Sequence, residues 1–81
     1  NRYRAVGTIM KDEQYDALVK LMRGEVESAG NRAARRVLVD GVVQADAVRE
    51  TGASRSTVSI TVRRYTEADE LMRRVYGQEN D

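Results

Sequence analysis

The sequence contains no cysteine and no histidine. Without cysteine, the chain has neither a disulfide framework nor a thiolate metal site. Without histidine, it lacks the commonest general base and the commonest metal ligand. It also shows no glycine-rich phosphate loop and no pair of carboxylates placed for acid–base chemistry. The composition therefore predicts a protein that is not an enzyme and that needs no metal or cofactor.

Proline is absent as well, and no apolar run approaches the length that crosses a membrane. No signal-peptide hydrophobic segment is visible either. These absences favour a cytoplasmic protein with no membrane partner, whose 81 residues form a single domain, 1–81. A domain of this size buries only about 60% of the surface that its unfolded chain exposes, so a dimer partner would add stability.

Charge is unevenly distributed, although the net charge is only +1. The stretches 28–39 and 54–65 each contain three arginines and no acid. After Thr66 the sign reverses, and acidic residues outnumber arginines. A basic middle and an acidic end favour a surface that meets nucleic-acid phosphates. Ordinary solvated helix faces are the alternative interpretation.

Residues 44–64 have the layout of a helix-turn-helix. Gly52 lies between two short helical patterns, where a positive φ would end the first helix and redirect the chain. Ser54 is placed to cap the second helix, 54–65, by accepting a hydrogen bond from the backbone N–H of Ser56 or Thr57. Five apolar residues fall where the two helices face each other and the rest of the domain: Ala47, Val48, Ala53, Val58 and Val62.

The opposite face of this second helix carries hydroxyls, guanidinium groups and one branched apolar side chain: Ser56, Thr57, Ser59, Ile60, Arg63 and Arg64. Arginine suits guanine, hydroxyls suit base edges or phosphates, and an aliphatic group suits the thymine methyl. Two helices joined through glycine also occur in domains that bind no nucleic acid. A protein-interaction module is therefore the alternative from a different functional class.

The helices before this segment follow from apolar spacing and turn residues. A first helix is predicted to begin near Asp12 and to be stopped by Gly24. A second should run from Ser28 or Asn31 to Val39. Residues 1–10 are predicted to form a flexible arm or an extended stretch.

Thr66 has the character of an N-cap, and Asp69 stands in the capping-box position behind it. This pattern predicts a separate terminal helix over 66–77. Its apolar face would either close the core against the first helix or pack on a second copy of the chain: Ala68, Leu71, Met72, Val75 and Tyr76. The fold class that follows is all-α, a small five-helix domain containing a helix-turn-helix.

Residues 34–64 read ARRVLVDGVVQADAVRETGASRSTVSITVRR. The leader A-R-x-V-L-V-D-G, the Q-A pair after its glycine and the register G-x-(S/T)-R-x-x-V-S-x-x-V resemble the TrfB/KorA-like family of plasmid-encoded transcriptional repressors. Residues 11–15, K-D-E-Q-Y, are similar to the first helix of that family. The layout also resembles, less closely, the PapB-type regulators of fimbrial operons, which stand as the alternative family.

The resemblance implies an all-α repressor that binds palindromic operators in double-stranded DNA as a homodimer and controls plasmid maintenance and transfer genes. It also implies that base contacts fall on Arg55, Ile60 and Arg64. The family pattern has Gln where this chain has Ile60. Isoleucine can contact a thymine methyl but cannot make the bidentate bond of glutamine to adenine, so the operator is expected to differ.

Two sets of candidate residues result. DNA-reading contacts are expected from Gln44, Ser54, Arg55, Ser56, Thr57, Ser59, Ile60, Arg63 and Arg64. Phosphate contacts are expected from Arg32, Arg35 and Arg36.

Overall fold

The computed structural model describes residues 10–77 and contains four α-helices and no strand within that range. Helix α1 spans Asp12–Leu21, α2 spans Ala29–Leu38, α3 spans Gln44–Thr51 and α4 spans Arg55–Tyr76. The all-α prediction is confirmed, but the predicted number of five helices is wrong. No helix in the described part of the chain is long and apolar enough to cross a membrane.

The predicted separate terminal helix does not exist, because α4 runs without a break from Arg55 to Tyr76. Thr66 lies half-buried inside this helix and is not an N-cap. Asp69 makes no capping box; its buried carboxylate accepts a hydrogen bond from Arg73 Nε at 2.8 Å, one turn later. No Gly or Pro interrupts the helix, and one interior Thr costs at most about 0.7 kcal/mol relative to Ala. Continuation of α4 therefore prevails over the local cap signal.

Helix α1 begins at the predicted Asp12 but ends at Leu21, before the predicted stop at Gly24. The left-handed residue that follows the helix is not a glycine. Arg23 has a φ of 57°. Its N–H donates to the Lys20 carbonyl at 3.2 Å, and that of Gly24 donates to the Val19 carbonyl at 2.8 Å. These two bonds form the Schellman arrangement. Gly24 serves a different purpose, because a Cβ there would overlap the Tyr65 hydroxyl of α4.

The larger hydrophobic cluster joins α1, α2 and the middle of α4: Met10, Tyr15, Leu18, Val19, Ala34, Leu38, Val39 and Tyr65. The rings of Tyr15 and Tyr65 lie 5.2 Å apart and are tilted by 60°. The Tyr15 hydroxyl donates to Asn31 Oδ1 at 2.8 Å, with the Asn31 carbonyl also within 3.0 Å. Burial of this phenol raises its pKa well above the ordinary value. A neutral, hydrogen-bonded Tyr15 thus ties α1 to α2 inside the core.

Met10 belongs to this core and not to a flexible arm, which corrects the prediction at its last residue. Its side chain is buried, and its N–H donates to the Leu38 carbonyl at 3.0 Å. The remainder of the predicted arm, residues 1–9, lies outside the described residues.

A second cluster of small apolar residues joins α2, α3 and the start of α4: Ala33, Ala47, Ala53 and Val58, with half-buried Val37, Val42, Val48 and Val62 around them. Every residue predicted to face inward from the 44–64 segment is part of this cluster. The short side chains permit close approach, and a Cβ at Gly30 of α2 would lie only 2.8 Å from Thr57 Cγ2 of α4. The absence of a side chain at Gly30 therefore lets the first turns of α4 pack closely against α2.

Candidate nucleic-acid interface

The turn between α3 and α4 forms where the sequence predicts it. Gly52 has a φ of 80°, and its N–H donates to the Val48 carbonyl at 2.9 Å. A Cβ at this position would meet nothing within 4 Å, so glycine is needed for its backbone conformation and not for space. The left-handed residue ends α3 and sends the chain into α4 after only three residues, 52–54.

Ser54 caps α4, as predicted, through the backbone N–H of Thr57, which donates to Ser54 Oγ at 3.1 Å. The Ser54 hydroxyl in turn donates to Thr57 Oγ1 at 2.8 Å. The exposed Ser56 hydroxyl lies 3.4 Å from the same Ser54 oxygen. Three hydroxyls are therefore gathered at the start of α4, on its solvent side.

Thr51 contributes to the turn in a way that the sequence pattern does not reveal. Its hydroxyl donates to the Ala47 carbonyl at 2.8 Å and accepts from the Ala53 N–H at 3.3 Å. A threonine here stands where aliphatic packing residues are usual. Its sequence position in a Thr-Gly dipeptide at a helix end is the one signal that points to a hydrogen-bonding role at the turn.

The exposed side of the first half of α4 is a strip formed by Ser56, Ile60, Arg63 and Arg64, hereafter the outer strip. Successive residues advance by about 100° around the helix, which places the outer strip opposite the buried Val58 and Tyr65. Ile60 keeps 53% of its surface exposed, an unusual position for a large apolar side chain. Arg55 and Thr57 are also exposed, while Ser59 is half-buried.

Gln44 belongs to the other helix and lies beside the first turns of α4. As the first residue of α3, it lines a shallow concavity together with Arg55 and Ser59 of α4. The first turn of α4 contains no acid, so the positive end of the helix dipole is not neutralised there. The concavity thus combines an amide, a guanidinium group and a helix N-terminus.

The three arginines in the first half of α4 differ from most other arginines of the described range, because no carboxylate pairs with them. Arg55, Arg63 and Arg64 form no ion pair with any carboxylate in the described range 10–77. Their guanidinium groups remain exposed to solvent. They are therefore free to meet an external anion.

Arg36, a candidate phosphate contact, is instead occupied by two carboxylates. Its Nε and Nη2 donate to Glu50 Oε1 and Oε2 at 2.7 and 3.1 Å, and its Nη1 donates to Asp40 Oδ2 at 3.0 Å. The hydrogen bond with Arg36 lowers the pKa of Glu50, and the carboxylates raise the pKa of Arg36. This network links α2 to the end of α3.

Arg35 is occupied in the same manner on the α1 side. It donates to Asp16 Oδ1 at 2.5 Å and to Asp12 Oδ1 at 2.8 Å, and its guanidinium carbon lies 5.4 Å from the Tyr15 ring centre. The hydrogen bond with Asp16 is the main cause that raises the pKa of Arg35. Arg32 differs, because its Nε donates to the Glu27 carbonyl at 3.2 Å and no described carboxylate neutralises it.

Comparison with known proteins gives one family. The profile of the family described as TrfB plasmid transcriptional repressor (KORA) matches residues 10–77. No curated protein and no solved structure gives a significant match. The matched range contains all four described helices, the α3–α4 turn and the outer strip. The chain therefore belongs to the family of TrfB plasmid transcriptional repressors.

Proposed function

We propose that this chain is a sequence-specific repressor that binds double-stranded DNA and that α3, the turn at Gly52 and α4 act as its helix-turn-helix. The observation that carries the proposal is the outer strip, an exposed and acid-free face with guanidinium groups that have no described carboxylate partner. A face of this kind attracts phosphates and offers donors to base edges. Membership of the repressor family supports the same conclusion.

In the proposed complex, the N-terminal half of α4 lies in the major groove. The hydroxyls of Ser54, Ser56 and Thr57 contact phosphates and base edges near the helix N-terminus, where anions are favoured. Arg55, Arg64 and Ile60 specify the sequence, the arginines through guanine and the isoleucine through a thymine methyl.

Gln44, Ser59 and Arg63 flank this contact and complete the proposed set. Arg32 supplies phosphate attraction that falls with added salt. Arg35 and Arg36 add less to that attraction, because each shares its charge with two carboxylates. Their larger role in the proposal is to hold α2 against α1 and α3.

Repression follows from occupancy of promoter DNA, without chemistry on it. The family relationship favours a homodimer on a palindromic operator and plasmid genes as the regulated ones, in the cytoplasm of a bacterial cell. Two half-sites about one helical turn, ~34 Å, apart would then be read by two copies of α4.

Selection of bound sites from a random duplex library tests this proposal. We expect enrichment of a palindrome, and binding of the selected duplex that weakens steeply as salt rises. Lys20→Ala, which removes an exposed charge from α1, serves as the charge-matched control for Arg64→Ala and should leave the selected sequence unchanged. Absence of binding at low salt, or binding that ignores salt, would favour a protein-interaction module instead.

A further inference from the structure

Gly30, the second residue of α2, faces the first turns of α4 with no side chain between the two helices. A Cβ at position 30 would lie 2.8 Å from Thr57 Cγ2, which is closer than van der Waals contact allows. The next atom beyond α2, among the described residues, is Thr61 Oγ1 at 3.5 Å, an ordinary contact distance. One methyl group of α4 therefore occupies the space that a side chain at position 30 would take.

The backbone of α2 does not itself require this glycine. Positive φ occurs at Gly41 and Gly52 but not at Gly30, which lies in an ordinary helical conformation. Glycine is among the least favourable residues inside a helix, because it loses more conformational freedom on folding than alanine does. The close approach of α4, and not the conformation of α2, therefore explains the glycine.

We infer that Gly30 is a positioning residue for the DNA-binding surface. It sets the orientation of Thr57 and, through Thr57, the placement of the hydroxyls and of the outer strip on the first turns of α4. In the proposed complex Gly30 itself meets no DNA, because it is buried. The effect on DNA rests on the proposed function, whereas the packing of Gly30 against Thr57 does not.

Thr57 cannot turn its methyl group away from α2 without losing a hydrogen bond. Its Oγ1 accepts from the Ser54 hydroxyl at 2.8 Å, and its N–H donates to the same Ser54 oxygen at 3.1 Å. A rotation that moves Cγ2 away from position 30 also moves Oγ1, because both atoms are bonded to the same Cβ. The bond between two hydroxyls that are proposed to meet phosphates and base edges would then break.

The overlap can otherwise be relieved only if the first turns of α4 move away from α2. At about 100° per residue, Arg64 lies within about 20° of Thr57 around the helix, and Ile60 lies about 60° from it. A shift of α4 at Thr57 is therefore passed to the residues proposed to specify the sequence. Contacts of this kind must be held within about 0.5 Å, so base reading would suffer.

Two minimal substitutions test this arrangement. Gly30→Ala adds only the Cβ, and Thr57→Ser removes only the Cγ2 that it meets, so the pair forms a double-mutant cycle. In the chain with Thr57, Gly30→Ala should weaken binding to the selected duplex at least about tenfold, the loss expected for one base contact. In the Thr57→Ser chain, the same substitution should change the affinity little, because the overlapping atom is gone.

The ratio of the affinities for selected and random duplex separates positioning from loss of stability. Gly30→Ala should lower this ratio, because attraction to phosphates survives a displacement that base contacts do not. Tyr15→Phe is the matched control, since it removes a buried hydrogen bond from the larger hydrophobic cluster and not from the contact between α2 and the first turns of α4. It should lower the urea midpoint and leave the ratio unchanged.

Urea unfolding without DNA tests the packing by itself. In the chain with Thr57, Gly30→Ala should lower the unfolding midpoint, because the new methyl overlaps Cγ2. In the Thr57→Ser chain it should raise the midpoint, because alanine favours a helix and the nearest remaining atom, Thr61 Oγ1, lies at 3.5 Å. Circular dichroism establishes that each variant is folded before its affinity is compared.

Several outcomes would overturn the inference. These are equal losses of affinity from Gly30→Ala in both chains, an unchanged affinity ratio in the Gly30→Ala variant, or an unfolded Gly30→Ala chain that Thr57→Ser does not restore. A selected duplex that the Gly30→Ala variant binds as well as before would remove the positioning role and leave the proposed function in place. Failure of the unsubstituted chain to select any duplex would remove both, and the urea midpoints would still report the packing.

Discussion

Arg36 of α2 holds Glu50 of α3 through two parallel hydrogen bonds, at 2.7 Å between Nε and Oε1 and at 3.1 Å between Nη2 and Oε2. The bidentate geometry fixes both distance and orientation. Since Glu50 precedes the Gly52 turn by two residues, the clamp fixes the end of α3 from which α4 departs. Arg36 therefore helps to position the outer strip, although it is not part of that strip.

This clamp predicts a pH dependence of stability. Arg36 lowers the pKa of Glu50 in the folded chain below its ordinary 4.5, so the pair stabilises the fold above that pH and the contribution is lost as pH falls through the lowered value. Arg36→Ala should therefore reduce stability near neutral pH and flatten its decline on acidification. Urea unfolding at a series of pH values measures this. Arg32→Ala, which removes no contact with a carboxylate of the described residues, should keep the original profile.

Gly52→Ala tests whether the turn depends on backbone conformation. Because φ is 80° and the site is open, the cost should be the left-handed strain alone, about 1–2 kcal/mol of unfolding free energy. Gly77→Ala is the control, since a Cβ there makes only ordinary contact at 3.7 Å with Arg73 Cβ. It should be neutral or slightly stabilising in denaturant unfolding. Equal losses in the two variants would contradict the role given to Gly52.

Tyr15→Phe removes the hydroxyl that donates to Oδ1 of the buried Asn31. An unsatisfied buried acceptor costs about 1–3 kcal/mol, so the unfolding midpoint should fall although the ring remains. Tyr76→Phe removes a hydroxyl from an exposed ring and should leave the midpoint unchanged. A Tyr15→Phe variant as stable as the unsubstituted chain would mean that the hydroxyl contributes nothing net to folding.

The elements that the sequence predicts well are those whose signals are local. Gly52 and Ser54 set the turn and the start of α4 through their own backbone and side-chain chemistry. Thr66 also carries a local cap signal, but no helix begins there. Tyr65 before it is buried in the core, and Asp69 after it pairs with Arg73 one turn further along the same helix. Local sequence signals thus predict the ends of helices only where contacts with residues far along the chain do not oppose them.

Contacts between residues that are far apart along the chain could not be predicted from the sequence. The partners of Arg36 depend on how α2 meets α3, so its pairing with Glu50 is invisible in either helix alone. Gly24 has the appearance of a helix stop, but its need for glycine comes from Tyr65, far along the chain. The helical period correctly predicted that the outer strip is exposed. It could not predict that carboxylates of other helices and turns neutralise Arg35 and Arg36.

Arg64→Ala should separate base reading from simple attraction. If Arg64 contacts a guanine edge, binding to the selected duplex should weaken by about 1–3 kcal/mol, and binding to random duplex much less. Fluorescence anisotropy with both duplexes measures the difference. Equal losses on the two would make Arg64 a phosphate contact.

Ile60→Gln tests which residue sets the operator. An exposed isoleucine favours a thymine methyl, while glutamine makes a bidentate bond to adenine. The variant should therefore change the preferred base at one position of each half-site and leave the other positions as they were. Site selection with both proteins in parallel reads this out. Ser56→Ala, one turn earlier on the same strip, removes a hydroxyl without adding a new donor and should weaken binding without changing the base preferred at the Ile60 position. Identical selected sequences for the unsubstituted chain and the Ile60→Gln variant would place base reading elsewhere on α4.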